Sequence, residues 1–295
     1  MTPKMRRAWL LGAPAGVYLC LFMIAPLVLM FALSFLPRAP LGGVRWDGFT
    51  TVAYQKLVVE RDLLGNLSLN GDYLIIFSRS LQLATLTTAL TLLVSFPTAL
   101  YMATLPRRWA MVLLFLITIP FWTNILLRNF AWILILREGG LLDQVLSWFG
   151  RPAGSLQILY TPVATGIGLT YSFLPFMILP VYVALERMDP RWIEAAFDLG
   201  ATRYRALTRV VLPLAAPGIA AGAVLVFIPC LGAYVSPELL GGGKSLMIGN
   251  LVQAQFGAAR NWPFGAALAM VLVALLLLAL LAVKRWAPAE AGQHG

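Results

Sequence analysis

The chain has 295 residues, of which 60% are hydrophobic and 12% are charged, and its net charge is +10. Soluble domains are roughly half apolar and about a quarter charged, so this composition excludes an ordinary soluble protein and indicates a polytopic membrane protein. The single histidine is His294, and the two cysteines, Cys20 and Cys230, both fall in apolar runs. These residues provide no metal motif, no disulfide framework and no Ser-His-Asp or Cys-His catalytic set.

Apolar runs long enough to cross a bilayer begin close to the N-terminus. After a basic start, the run from Trp9 to about Leu36 is far longer than the roughly 7–15 residues of a signal-peptide core. We therefore predict an uncleaved first span. The polar segment 37–76 is predicted to hold one or two short interfacial helices. The second and third spans are predicted at about 81–105 and 109–136.

The second half of the chain continues the same alternation. An amphipathic piece, 141–148, is expected to lie along the membrane surface within the polar segment 137–157. Three further spans are predicted at about 158–185, 214–234 and 264–283. The predicted fold class is therefore all-α, a polytopic membrane protein with six transmembrane helices.

The basic residues predict the orientation of these spans. With six spans, the side that holds both termini and the loops at 106–108 and 186–213 carries 12 Lys and Arg, against 8 on the longer opposite loops. Basic residues concentrate on the cytoplasmic side of membrane proteins. Both termini are therefore expected in the cytoplasm, and the net charge of +10 indicates topology rather than nucleic-acid binding.

The polar stretch 186–213 has the local signals of a helix-turn-helix. Asp189 is a good N-cap and Pro190 a natural first helical residue, while Gly200 is suited to the left-handed turn that ends a helix. Thr202 can cap a second helix that runs towards Pro213. Small residues near the bend let another protein approach the backbone closely: Ala195, Ala196 and Ala201.

This stretch closely resembles the EAA loop of the membrane subunits of bacterial ABC importers. The family pattern is Glu-Ala-Ala, three residues, Gly, nine residues, an aliphatic residue, one residue and Leu-Pro. Every position is matched, with Val for the usual Ile: Glu194, Ala195, Ala196, Gly200, Val210, Leu212 and Pro213. The alternative is an ordinary cytoplasmic helical hairpin between two spans.

The resemblance implies the type I ABC importer permease fold. Residues 1–295 would form a single transmembrane domain with a core at about 75–285, and 186–213 would be its cytoplasmic coupling loop. The implied partners are two copies of a cytoplasmic ABC ATPase, a second permease subunit, a periplasmic solute-binding protein and the lipid bilayer. The implied location is the bacterial inner membrane. ATP and Mg would be used by the ATPase, with no cofactor in this chain.

A finer resemblance, over roughly 75–285, is to the first permease subunit of spermidine/putrescine importers. It is carried by the stretches at 120–124, 128–132, 174–180, 184–190, 241–250 and 261–265. The substrate it implies is a polyamine. Close members of this subfamily are thought to carry other cationic or amino-acid-derived solutes, such as opine-like compounds, so those remain alternatives.

A solute pathway is predicted from aromatic, polar and charged residues near the span ends: Trp122, Asn124, Arg128, Tyr171, Tyr234 and Glu238. Arg128 has two readings. It is a pathway or gate residue acting with Asn124, or it lies near the outer headgroups and packs with Trp132. The predicted spans contain no acids, so a polycation would depend on loop acids such as Glu238 and Asp72, on aromatic faces, or on the second permease.

Other function classes fit less well. Gly241–Ser245 suggests a phosphate loop, but the motif needs a glycine where Glu238 stands. An ion-driven secondary transporter would be expected to place acids in the middle of the membrane, and none is predicted there. A polytopic membrane enzyme would need a catalytic set that the chain lacks. We therefore predict a transport component, not an enzyme.

Overall fold

The computed structural model describes residues 3–61, 67–69, 71–150, 152, 154, 156–244 and 246–286. The C-terminal tail from residue 287 and Ser245 of the glycine-rich motif lie outside the described residues. The described helices are α1 (Pro3–Ser34), α2 (Val52–Val58), α3 (Gly71–Thr104), α4 (Arg107–Trp122), α5 (Ile125–Leu136), α6 (Leu141–Ser147), α7 (Pro162–Glu186), α8 (Arg191–Asp198), α9 (Arg203–Ala206), a π-helical turn (Leu207–Val211), α10 (Leu212–Leu231), α11 (Val235–Gly241), α12 (Ile248–Phe256) and α13 (Trp262–Trp286).

Within the described part of the chain, five helical segments are long and apolar enough to cross a membrane. They are Ala13–Ser34, Gly71–Thr104, Pro162–Glu186, Arg203–Leu231 and Trp262–Leu281. A sixth span is obtained if the bent pair formed by α4 and the segment from α5 to α6 is counted as one. The predicted helical, polytopic fold is confirmed. The prediction did not include a short antiparallel pair, β1 (Val59–Arg61) with β2 (Leu67–Leu69), in the first long loop.

The third predicted span, 109–136, is not one straight helix. Its first half, α4, meets the segment from α5 to α6 at an angle of 93°. Pro120 removes a backbone donor in the last turn of α4, and Asn124 is extended, with its Oδ1 accepting a hydrogen bond from Leu126 N at 2.8 Å. With 16 and 12 residues, the halves are about 24 and 18 Å long, so neither alone crosses a hydrocarbon core of about 30 Å.

The chain divides into two compact units, and the larger comprises residues 75–250 and 276–295. Its core is centred on α7 and α10, where close helix packing depends on two glycines. A Cβ built on Gly218 would lie 2.5 Å from Ala184 Cβ and 2.6 Å from the Pro180 carbonyl oxygen. A Cβ on Gly222 would lie 2.6 Å from Met177 Sδ. The second glycine pair of the sequence therefore holds α10 directly against α7.

A short helix, α11, is packed against α5 and α7 in the same unit. Its Leu240 is fully buried and lies against Gly168 of α7, where any side chain would overlap it. Leu240 O accepts a hydrogen bond from Tyr160 N at 2.8 Å, just before α7 begins. Gly242, with φ of +60°, ends α11 in the left-handed conformation. The glycines that suggested a phosphate loop thus terminate a helix.

The smaller unit comprises residues 1–74 and 251–275, and its first long loop is well organised. Phe35 stacks on Phe49 with ring centroids 5.1 Å apart, and the Ser34 and Tyr54 hydroxyls are 2.9 Å apart. Gly43 N donates to Arg260 O at 2.8 Å, which ties the loop to the turn before α13. Of the interfacial helices predicted for 37–76, the described residues contain one, α2.

The glycine packing of α10 predicts the effect of a single methyl group. Gly218→Ala must push α10 away from α7, and overpacking of this kind costs about 1–3 kcal/mol. Gly16→Ala is the matched control, since a Cβ there has no atom within 4 Å. We expect a lower melting temperature for detergent-purified Gly218→Ala and an equal or higher one for the control, because alanine favours a helix interior over glycine. Equal melting temperatures for both variants would contradict the close packing.

Candidate coupling surface and solute pathway

The start of α8 is fixed by the predicted cap. Asp189 Oδ1 accepts a hydrogen bond from Arg191 N at 3.0 Å, and Pro190 occupies the position between them. Glu194 lies in the first turn, where its negative charge is favourable next to the positive end of the helix dipole. The capping hydrogen bond predicted for Asp189 is therefore present, whereas α8 begins at Arg191, one residue after the predicted Pro190.

The end of α8 is a Schellman motif built on the predicted glycine. Gly200 has φ of +79°, and its N–H donates to Phe197 O at 2.9 Å. Ala201 N donates to Ala196 O, also at 2.9 Å. These two bonds satisfy carbonyls that the helix end would leave free. A Cβ on Gly200 would have no atom within 4 Å, so the conformation, not crowding, favours glycine here.

The second half of the loop does not end at Pro213 as predicted. Thr202 caps α9 by accepting from Arg205 N at 3.4 Å, and the helix then runs without a break to Leu231. Leu212 N bonds to Leu207 O in a wide π turn immediately before Pro213. In a regular α-helix the proline ring would clash with the carbonyl four residues earlier, and the π turn accommodates it. The second half of the loop and the fifth span are thus one helix of 29 residues.

The outer surface of α8 is exposed and partly apolar. Glu194 and Ala195 are exposed, Ala196 is half-buried, and α8 has no fully buried residue. Large apolar side chains project around them, with exposed fractions of 62% for Trp192, 46% for Phe197, 89% for Leu199 and 74% for Tyr204. Several large, exposed apolar side chains on one short loop are typical of an interaction surface. We call this set, with Glu194 and Ala195, the α8 surface.

The remaining predicted coupling residues lie at the helix junction and not on α8. Val210 is half-buried in the π turn, and Leu212 and Pro213 are exposed at the start of α10. Ile193 of α8 and Leu207 of the π turn both pack against the core that contains Val211 and Ala215. The matched sequence pattern therefore covers two structural elements, a surface helix and the junction that joins it to a span.

The bend between α4 and α5 brings three of the predicted pathway residues together. Trp122 is 83% exposed, Asn124 caps α5, and Arg128 lies one turn further on. Arg128 Nη2 donates to Thr123 O at 3.0 Å, and its Cζ is 6.0 Å from the centroid of the Phe121 ring. Arg128 thus binds the negative C-terminal end of α4 and steadies the bend.

Tyr171 lies on α7 and stacks edge-on against Trp132 of α5, with ring centroids 5.5 Å apart. One of the two readings of Arg128 had it packed with Trp132. In the structure the aromatic partner of Arg128 is Phe121, whose ring contacts Phe176 of α7 at 5.2 Å. Aromatic contacts therefore join both halves of the broken span to α7.

Tyr234 and Glu238 lie at the start of α11 and share a partner. Asn250 Nδ2 donates to Glu238 Oε2 at 2.9 Å and to Tyr234 O at 3.0 Å. Asn250 is 3% exposed, whereas Glu238 and Tyr234 are exposed. This pair is held on α11, which packs against α5 and α7, the helices that carry Arg128 and Tyr171.

Two residues of this region were not predicted as site residues. Asn129 is 1% exposed, donates from Nδ2 to Ile125 O at 2.8 Å and leaves its Oδ1 without a partner. Asn250 is the other. The signal that the sequence offers for both residues is an asparagine within an apolar stretch, and this signal does not identify the hydrogen-bond partner. Among the described residues, no three of His, Cys, Asp or Glu come together in a way that could hold a metal ion.

The sequence family of the chain agrees with this arrangement. Residues 63–286 match the family described as binding-protein-dependent transport system inner membrane component. The chain belongs to this family and is the permease subunit of an ABC importer, a multi-pass protein of the bacterial inner membrane and one component of a larger assembly.

Several relatives cover almost the whole chain. The spermidine/putrescine transport system permease protein PotB of Escherichia coli K12 is 37% identical over 268 residues, which is 91% of this chain and 93% of PotB. PotB of Haemophilus influenzae is 38% identical over 88% of this chain and 87% of its own length. The inner membrane ABC transporter permease protein YdcU of E. coli K12 is 33% identical over 92% of this chain and 90% of its own length.

The fold is also that of a solved transporter. A chain of the bacterial alginate ABC transporter, crystallised in complex with an alginate pentasaccharide-bound periplasmic protein, superposes with a TM-score of 0.69. The match covers 96% of this chain and 95% of that one at 17% identity, so it supports the fold alone.

The role of Asn124 as a helix cap can be separated from a role towards solute. Asn124→Ala removes the acceptor of Leu126 N, and loss of such a cap costs about 1 kcal/mol. Asn124→Asp keeps the acceptor. We expect a lower melting temperature for the Ala variant only. If Asn124 also lines the pathway, the Asp variant, although stable, will change the transport rate. Normal stability of Asn124→Ala would contradict the cap.

Proposed function

We propose that this chain imports a polyamine, with a cytoplasmic ATPase docked on the α8 surface and the coupling residues Glu194, Ala195, Ala196, Gly200, Val210, Leu212 and Pro213. The observation that carries the coupling part is the unbroken helix from Arg203 to Leu231. A force applied to the second half of the loop reaches a membrane span directly through this helix, and α8 contacts the start of the same helix at α9 and the π turn.

The packing around this helix supports a defined transmission path. α8 packs against α9 and the π turn, and α10 packs against α7 at Gly218 and Gly222. Tightly packed helices move together because their interfaces have few voids to absorb displacement. A push on α8 is therefore expected to move α10 and α7 as one body, which would change access to the solute pathway.

The choice of a polyamine rests on the relatives and on the chemistry of the pathway. Relatives at 37% and 38% identity are named for spermidine/putrescine transport. Glu238 offers a negative charge, and exposed Trp122 and Tyr234 offer aromatic faces, which bind ammonium groups through cation–π attraction. Tyr171 adds a further, half-buried ring. These groups suit a flexible cation with several amines.

Arg128 is the observation that favours a second candidate. Its positive charge, on a helix that packs against the helix of Glu238, would repel a polycation but would attract a carboxylate. A solute with both an ammonium and a carboxylate group, such as an amino-acid-derived or opine-like compound, would use both charges. The polyamine is preferred because the relatives at 37% and 38% identity are named for spermidine/putrescine transport.

The proposed assembly follows from the predicted orientation. Both termini and the α8 surface face the cytoplasm, where two ATPase copies bind ATP and Mg, and this chain supplies no cofactor. A second permease subunit completes the pathway within the bilayer. A periplasmic solute-binding protein delivers the solute to the side that carries α6 and α11.

A substitution in the coupling loop tests the proposal together with its substrate. Gly200→Asp should abolish uptake by disturbing the ATPase contact. The strain of a non-glycine residue at φ of +79° amounts to only about 1–2 kcal/mol. Gly150→Asp is the matched control, because Gly150 has φ of +86° and equally open surroundings. Uptake of labelled spermidine, putrescine and amino-acid-derived solutes is measured in cells that carry the whole operon.

The outcomes separate the two parts of the proposal. If one solute enters and only Gly200→Asp abolishes its uptake, coupling and substrate are established together. Wild-type uptake by Gly200→Asp would remove the coupling role. If none of the polyamines enters but another solute does, the polyamine assignment is wrong and the coupling part stands. Uptake that persists without the ATPase would favour an ion-driven transporter.

A further inference from the structure

Glu238 is an exposed carboxylate on a helix that is otherwise well packed. Ser236, Pro237, Leu240 and Gly241 of α11 are buried, and the helix lies against α5 and α7. Its end is tied to Tyr160, just before α7 begins, by the bond to Leu240 O. With the predicted orientation, α7 begins at the outer side. Glu238 is therefore held at the outer end of the packed helices and not on a loose loop.

Asn250 fixes the position of this carboxylate. Its amide donates one hydrogen bond to Glu238 Oε2 and one to Tyr234 O, and its Oδ1 lies 3.4 Å from Met247 N. Because Asn250 is 3% exposed, loss of these bonds would leave a buried amide unsatisfied. The side chain thus joins α11 to the first turn of α12 and restrains one oxygen of Glu238.

Two other acids on the same predicted side have partners that occupy them. Asp47 accepts two hydrogen bonds from Arg45, at 2.9 and 2.7 Å, and these bonds lower the pKa of Asp47. Asp143 is 1% exposed and accepts from the backbone N–H groups of Gly139 and Gly154. Glu238 is restrained by a neutral donor, so its charge is not neutralised by a cation of the described part of the chain.

We propose that Glu238 is the ammonium-binding carboxylate at the outer mouth of the pathway and that Asn250 is its positioning residue. This inference rests on the proposed polyamine function and names the group that recognises the substrate. Oε2 is held by Asn250, and Oε1 is left to accept from a primary ammonium group. A charge-assisted bond of this kind is stronger than a neutral one, and a carboxylate that is fixed in advance loses less conformational entropy on binding.

The experiment measures binding to the permease without the solute-binding protein, which would otherwise dominate the apparent affinity. Labelled spermidine is titrated onto the purified transporter, assembled with its ATPase and second permease. Glu238→Gln keeps the shape and removes the charge. Asn250→Leu removes the donors. Glu138→Gln is the control, since Glu138 is an exposed acid on the same predicted side. Basal ATP hydrolysis is followed as a measure of intact assembly.

We expect Glu238→Gln to raise the Kd for spermidine about tenfold, the scale of losing one charge-assisted hydrogen bond. Asn250→Leu should raise the Kd in the wild-type background and add nothing in the Glu238→Gln background, because both changes act through one carboxylate. A purely structural role of Asn250 would give additive effects in the two backgrounds. The Glu138→Gln control should bind like the wild type.

The failures are distinguishable. A wild-type transporter that imports and binds no polyamine contradicts the proposed function. If wild type binds spermidine and Glu238→Gln binds it equally well, the inference is wrong while the function stands. If Asn250→Leu fails to assemble, as judged by its ATP hydrolysis, the Glu238→Gln result alone decides whether the carboxylate binds the ammonium. The inference is also contradicted if wild-type cells take up spermidine but the purified wild-type transporter shows no saturable spermidine binding.

Discussion

The close approach of α10 to α7 is the contact on which the rest of the larger unit depends. Gly218 and Gly222 let the α10 backbone lie against Pro180, Ala184 and Met177, with no room for a methyl group. In a membrane the hydrophobic effect does not drive helices together, so close packing of this kind carries much of the stability. The helix that leads into α10 also forms half of the coupling loop, so the same contact serves both stability and transmission.

The bent helix pair and α11 form the second half of this arrangement. A straight third span over 109–136 would carry Trp122 and Asn124 near its middle. The bend instead creates two helix ends, and helix ends expose polar backbone groups that polar side chains and solutes can reach. Arg128 satisfies one such carbonyl, and Asn250 restrains the acid on the neighbouring α11.

Local features were predictable from the sequence, and long-range ones were not. The Asp189 and Thr202 caps, the turn at Gly200 and the apolar spans are determined by residues within a few positions of each other. The break at 123–124 was missed because hydropathy continues through it, although Pro120 and Asn124 were both visible. The continuation of α9 through Pro213 was missed because a π turn absorbs the proline.

The solute pathway depended most on tertiary structure. The six residues predicted for it fall on α4, α5, α7 and α11 or on the caps of α5 and α11, and these helices become neighbours only through tertiary packing. The bond from Asn250 to Glu238 spans twelve positions and crosses a glycine-rich turn, so no periodic pattern reveals it. The identity of the solute depends in addition on groups that a second permease would contribute.

The account requires that α8 lies on the cytoplasmic side and α6 on the opposite side. This is tested with single cysteines, Asp198→Cys on α8 and Trp148→Cys after α6, in a chain whose Cys20 and Cys230 are replaced by serine; both positions are exposed. Intact and permeabilised cells are treated with a thiol reagent that does not cross the inner membrane. The account predicts that the cysteine at 148 reacts in intact cells and the one at 198 only after permeabilisation. Labelling of the cysteine at 198 in intact cells would place α8 away from any cytoplasmic ATPase and contradict the account.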